Sequence, residues 1–204
     1  MMPAARESLL DAARTALVRR PWSAVRMVEV AAAAGVSRQT LYNEFGSKEG
    51  LGRALVRREA DAYLAGVERA LAAPVDPGER LVAAAEWTTA AARDNALVRA
   101  ALTGCWSARM PAPTLSAVPS AAAAVPAQRR ADGPLPSPTD LVALVRDRAV
   151  AHLAGAGGSG ADTADLARTC ELVVRLALSC VAAPPPGEGG VAELVRGTLH
   201  RRPV

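Results

Sequence analysis

Arg38, Gln39, Thr40, Tyr42 and Asn43 crowd into six consecutive positions. Guanidinium, amide and hydroxyl groups at this density have little use in an apolar core. They suit the edges of base pairs in a major groove, where guanidinium and amide side chains tell one base from another. A helix turns about 100° per residue. If Leu41 and Phe45 point inward, Gln39 and Asn43 point nearly opposite. Tyr42 and Thr40 then flank the outward row, and Arg38 sits in the first turn. Ser37 precedes the run as an N-cap and counts with the same DNA-facing set.

Other chemistry finds no support. His152 and His200 are isolated, with no cysteine or acid at ligand spacing, so neither a metal site nor a catalytic triad is indicated. Gly155-Ala156-Gly157-Gly158-Ser159-Gly160 matches a dinucleotide-loop string, but no strand precedes it, and a flexible linker is the better reading. No catalytic residue and no cofactor is expected. Cys105, Cys170 and Cys180 are widely spaced among apolar neighbours, which argues against a disulfide framework and for small buried hydrophobes. The N-terminus brings Arg6, Glu7 and Asp11 before any apolar run, unlike a secretory leader. No stretch approaches the roughly 20 apolar residues of a membrane span. A soluble, cytoplasmic protein is expected.

Net charge is +4 over 204 residues, but its distribution is uneven. Ten basic residues face five acids in residues 1–58, and fourteen face fifteen in the rest. The positive excess therefore lies in the first quarter, as for a module that meets a polyphosphate.

The elements that must hold this row read as helices throughout. Half the residues are hydrophobic and only 3% aromatic, so the core is built from Ala, Leu and Val, which favour closely packed helices. Leu10, Ala13 and Leu17 mark a helix over Ala4 to Val18, closed by Arg19, Arg20 and Pro21, with Trp22 under the bend. Met27, Val30, Ala31 and Ala34 mark a second, ended by Gly35, with Val36 at the corner. The third spans Arg38 to Phe45, ended by Gly46. Ser47 caps a fourth, which continues or kinks through Gly50 and Gly52 into a long helix over 54–73. A helix-turn-helix domain over 1–52 and a helical domain over 53–204 are expected.

Farther along, Asp76-Pro77-Gly78-Glu79 reads as a capping box starting a helix to about Arg93, and Asp94 as the cap of another to about Ser107. Seven prolines over 111–138 exclude a continuous helix there, leaving a loop with one short piece near 121–124. Ser137 starts a helix to about Ala154. A long apolar helix near 164–183 and a last one near 188–199 follow. On the former, Leu172, Val173, Leu176, Ala177 and Cys180 share a broad face, and pairing these two helices across a two-fold axis is the expected dimer contact.

The run Gly35-Val36-Ser37, then Thr40-Leu41-Tyr42, Phe45, Ser47-Lys48-Glu49 and Leu51, resembles the TetR/AcrR family of regulators. The resemblance covers about residues 4–58; the remaining helices fit only in number and length. It implies a homodimer reading a palindromic operator, a ligand cavity in the C-terminal helices and repression relieved by a small molecule. It assigns Arg38, Gln39, Thr40 and Asn43 to the vicinity of bases and backbone, and Tyr42 and Lys48 to phosphates. Lys48 is the one lysine among 24 basic residues. Where the family usually has Ser or Thr touching phosphate, Val25-Arg26-Met27 stands here, so Arg26 either takes that role with a full charge or is simply solvated. Gln39 replaces a small residue, so the operator sequence does not transfer. Trp87 and Trp106 are the aromatic candidates for a ligand wall, with packing the more ordinary role; the apolar composition points to a lipophilic effector. A thiol-responsive or ligand-independent regulator on the same scaffold is the alternative.

Overall fold

A computed structural model describes residues 3–111, 135–154, 160–185 and 190–200. The predicted short helix near 121–124, most of the proline-rich loop and most of the glycine run lie outside the described residues. Among the described residues the regular elements are all helical: α1 (Pro3–Arg19), a 3₁₀ turn (Trp22–Ala24), α2 (Met27–Ala33), α3 (Arg38–Phe45), α4 (Lys48–Leu71), α5 (Pro77–Asp94), α6 (Ala96–Thr103), α7 (Pro138–Leu153), α8 (Gly160–Ala182) and α9 (Gly190–His200). The chain divides into two compact units, Met1–Glu59 with Trp106–Leu135 and Ala60–Cys105 with Pro136–Val204. No helix among the described residues is long and apolar enough to cross a membrane.

In the first unit α1 packs on α2 and α3, and α2 on α3. Leu9, Leu10 and Ala13 of α1, Val30 and Ala31 of α2, and Leu41 and Phe45 of α3 are buried, joined by Leu51, Ala54 and Leu55 of α4. Gly35 takes φ 68 and Gly46 φ 69, backbone that other residues adopt only at a cost, so each closes its helix cleanly.

The second unit is built around α5, which packs on α6, α8 and α9, while α7 lies on α8. Several punctuation details differ from expectation. Of the two courses open at Gly50 and Gly52, helix α4 takes the continuous one, and Gly52 leaves room for Pro111, which a Cβ there would meet at 2.8 Å. Asn95, not Asp94, caps α6, its Oδ1 accepting from the N–H groups of Leu97 and Val98 at 3.0 and 3.3 Å. That helix ends at Thr103, four residues early, because Gly104 turns left-handed at φ 72. Asp76 caps α5, but no reciprocal box forms there, since both Glu79 carboxylate oxygens accept from Arg196 at 2.8 Å. A full box stands at α7, where Ser137 and Asp140 cap each other. On α8 the broad apolar face is turned into its own unit: Val173, Ala177 and Cys180 are buried, while Leu172 stays exposed.

Candidate nucleic-acid interface

Helix α3 is held by its inward side. Leu41 is fully buried and Phe45 nearly so. Glu44, one residue over on the same face, is also buried, 3.6 Å from Arg6 Nη1, and the Arg6 guanidinium lies 4.8 Å from the centre of the Phe45 ring. Arg6 thus grips both the acid and the aromatic of α3. This clamp was not read from the sequence. The available signal was that Glu44 shares the i, i+3, i+4 face of Leu41 and Phe45, where a carboxylate needs a partner.

The outward side carries the predicted row. Arg38, Gln39, Tyr42 and Asn43 are exposed, Tyr42 by 40%. Gln39 Nε2 donates to Asn43 Oδ1 at 3.0 Å, so the two amides stand as one pre-ordered pair a helical turn apart. Ser37 accepts from the Thr40 N–H at 3.0 Å, and the two hydroxyls lie 2.9 Å apart. Thr40 is consequently half-buried and tied to the cap rather than fully outward.

Charge in this unit is sorted. Glu7, Asp11 and Glu59 pair with Arg58, Glu59 also with Arg14, Glu29 with Arg20 and Glu44 with Arg6. Those acids fasten helices together. Arg26, at the N-cap position of α2, and Arg38 are exposed and have no such partner among the described residues. Lys48 is half-buried: its Nζ donates to the Ser23 carbonyl at 3.0 Å and lies 5.7 Å above the Trp22 ring. Beside it, Glu49 is held below the usual carboxylate range, first by its own backbone N–H and then by the Ser47 hydroxyl at the start of α4.

Trp22 anchors this corner. It is buried, and its backbone N–H donates to the Arg109 carbonyl at 2.7 Å. Pro111 is buried next to Gly52. A segment nearly ninety residues along the chain therefore braces the turn under Lys48, with no local sequence signal for it. Trp106 falls in this first unit, half-buried. Trp87 falls in the second, its Nε1 donating to the Tyr63 carbonyl at 3.0 Å and its ring filling the space left by Gly66. Tyr63 is core, sharing a hydrogen bond with the Thr88 hydroxyl at 3.1 Å, and burial pushes its phenol up to about 12.

A two-helix unit crossed at a glycine turn, presenting its second helix outward over a third, defines the class of helix-turn-helix regulators. Residues 9–55 match the family described as bacterial regulatory proteins, tetR family. That match is confined to the N-terminal segment, over which the chain is similar to TetR-family transcriptional regulators. It is 50% identical over 70 residues to the HTH-type transcriptional regulator AlkX of Mycobacterium tuberculosis, covering 34% of this chain and 33% of that one. It is 42% identical over 81 residues to the HTH-type transcriptional activator FasR of Mycolicibacterium smegmatis, covering 40% and 37%. The chain thus spans well under half the length of these curated relatives. In fold it is similar to a TetR/AcrR-family regulator from Thermobifida fusca (TM-score 0.56, 17% identity, 97% of each chain). A second solved neighbour is the TetR family repressor AlkX from Dietzia (TM-score 0.52, 19% identity, 96% and 92%).

Proposed function

We propose that this protein is a sequence-specific DNA-binding repressor that acts as a homodimer on a palindromic operator and is released by a small ligand. The observation that carries the DNA contact is the outward row of α3: exposed Arg38, Gln39, Tyr42 and Asn43 over buried Leu41 and Phe45. Ser37 and Thr40 order the N-terminal turn of that helix. Arg26 and Lys48 supply phosphate contacts, Lys48 after releasing the Ser23 carbonyl or while keeping it with its other two donors. Arg26 and Arg38, exposed and without an acidic partner among the described residues, support the same reading.

Dimerisation through α8 and α9 is supported by Leu172 and Leu194, which remain 41% and 42% exposed, rather than by the buried row of α8. A two-fold pair would set the recognition helices roughly 34–36 Å apart on one side of a duplex. The repressor sign is open to a direct test, since one relative is named an activator and one fold neighbour a repressor.

The test is fluorescence anisotropy on the duplex upstream of the protein's own gene against a random duplex of equal length. Preference for the upstream duplex, falling steeply with salt, is expected. Equal affinity at moderate salt would remove the sequence-specific reading. A promoter-reporter strain with and without the protein reads the sign.

A thiol-responsive variant has one usable side chain. Cys105 is exposed, whereas Cys170 and Cys180 are buried. Burial pushes the Cys170 thiol up to about 11, the wrong direction for a reactive thiolate. Its neighbours Arg168 and Arg175 are committed to Asp165 and Glu171. Mass spectrometry after mild oxidant treatment should find modification at Cys105 alone if this variant operates, and none if it does not.

A further inference from the structure

The second unit encloses a cavity of about 310 Å³ where the ends of α5 and α8 meet α6 and the start of α9. That is near the lower end of the volumes that small molecules occupy. Its inner wall is apolar: Ala92, Cys180, Val181 and Val191 are all buried. Its mouth carries Arg93, in the last turn of α5, and Arg99, on α6, both exposed. Among the described residues none of those lining it is acidic.

The other described arginines of this unit are committed. Arg80 donates to the Val75 carbonyl, Arg148 pairs with Glu68, Arg146 and Arg175 with Glu171, Arg168 with Asp165 and Arg196 with Glu79, while Arg69 lies over the Trp87 ring. Among the described residues Arg93 and Arg99 are the two arginines of this unit without such a partner, and both border the same cavity. Guanidinium groups bind carboxylates and phosphates through paired hydrogen bonds, and two of them beside an apolar wall are complementary to an anion with a short hydrocarbon body.

We propose that this cavity binds a small amphiphilic anion, its carboxylate or phosphate head on Arg93 and Arg99 and its chain against Ala92, Val181 and Val191. As an effector site this rests on the regulator reading above; as a binding site it does not. It makes no use of Trp87 or Trp106, which do not line the cavity. The head group, rather than lipophilicity alone, then decides what binds.

The test is calorimetric titration of the full chain with octanoate, octyl phosphate and octanol. Saturable binding of at least one anion is expected, with octanol weaker by roughly tenfold or more, the worth of one charge-assisted pair. The better of the two anions identifies the head. The R93Q/R99Q double variant should lose roughly tenfold or more in anion affinity with an unchanged unfolding midpoint, because both side chains are exposed. In a Cys105→Ser background, the bound anion should slow alkylation of Cys180, which lines the cavity. Octanol binding as tightly as the anions, full affinity in the double variant, an unprotected Cys180 or no saturable binding would each overturn the site. Upstream-duplex affinity of the ligand-free protein, measured on the same preparation, reports on the regulator reading separately. Loss of that affinity leaves the calorimetric result standing.

Discussion

Helices α3 and α6 are built to the same plan and put to opposite uses. Each has eight residues, each starts on a capping side chain (Ser37 or Asn95), and each stops at a glycine of positive φ, Gly46 at φ 69 or Gly104 at φ 72. Helix α6 buries five of its residues: Leu97, Val98, Ala100, Ala101 and Leu102. Helix α3 buries three, and one of those is a glutamate. Eight residues make a marginal helix in isolation, so beyond its cap α6 is secured by packing. Helix α3 gives up most of that packing and is secured by two apolar anchors and the Arg6 clamp. Its polar surface is what a groove-binding helix requires, and the clamp is what that surface demands in return.

The sharpest way to break this contrast is to truncate one residue from each. Leu97→Ala should cost about 2–5 kcal/mol of folding free energy by urea titration, as a fully packed leucine does. Asn43→Ala should cost less than about 0.5 kcal/mol, as for other exposed positions, yet weaken upstream-duplex binding by roughly 1–3 kcal/mol. Comparable destabilisation by both substitutions would mean that α3 is as structural as α6. Next in size is the clamp. Arg6→Ala leaves the Glu44 carboxylate buried without its cation, and Arg6 is itself partly exposed, so a loss of about 1–2 kcal/mol is expected. Adding Glu44→Gln should recover part of that loss. A double-mutant cycle with no coupling would show that the two groups do not depend on each other. Of similar size, Gly46→Ala and Gly104→Ala should each cost about 1–2 kcal/mol, because both force a side chain to positive φ. If only one of them matters, the shared plan fails at that glycine.

What could be read in advance follows the same division. The glycine, serine and apolar positions of residues 27–51 encode local geometry, and α2 and α3 fall where that punctuation places them, α3 to the residue. The outward row of α3 followed from helical rotation alone. Three things were not legible, each because it depends on contacts distant in sequence. The Arg6–Glu44 pair spans nearly forty residues, and a charged residue gives no sign of where its partner lies. The brace of Arg109 and Pro111 on Trp22 and Gly52 comes from beyond α6. On α8, Leu172 shares a stripe of apolar residues with Val173 and Ala177, but periodicity alone does not tell a face covered by α5 and α7 from one left open.

The smallest effects test the electrostatic side of the comparison, at the first turns of α3 and α4. Helix α3 has no acid in its first turn and carries Arg38 there, against the positive end of its own dipole. Helix α4 carries Glu49 in that position. A cation at a helix start is mildly unfavourable until an anion arrives, which fits a phosphate partner for Arg38; at the start of α4 the other proposed phosphate contact, Lys48, stands beside the compensating Glu49. Lys48→Ala should therefore lower the slope of log affinity against log salt by about 1, uniformly across duplex sequences. For Glu49 the sign is fixed by its depressed folded-state pKa. Such a carboxylate stabilises the fold above its unfolded value near 4.5, and the contribution disappears as pH falls through the lower folded value. Glu49→Gln should then cost a few tenths of a kcal/mol at pH 7, about the size of an exposed charge–dipole contact, and nothing measurable at pH 2. Arg38→Gln should run the other way, leaving stability unchanged or slightly raised at both pH values while DNA affinity falls. Equal, pH-independent losses in the two variants would show that the first turn of α3 is not being held in an unfavourable charge state for a partner.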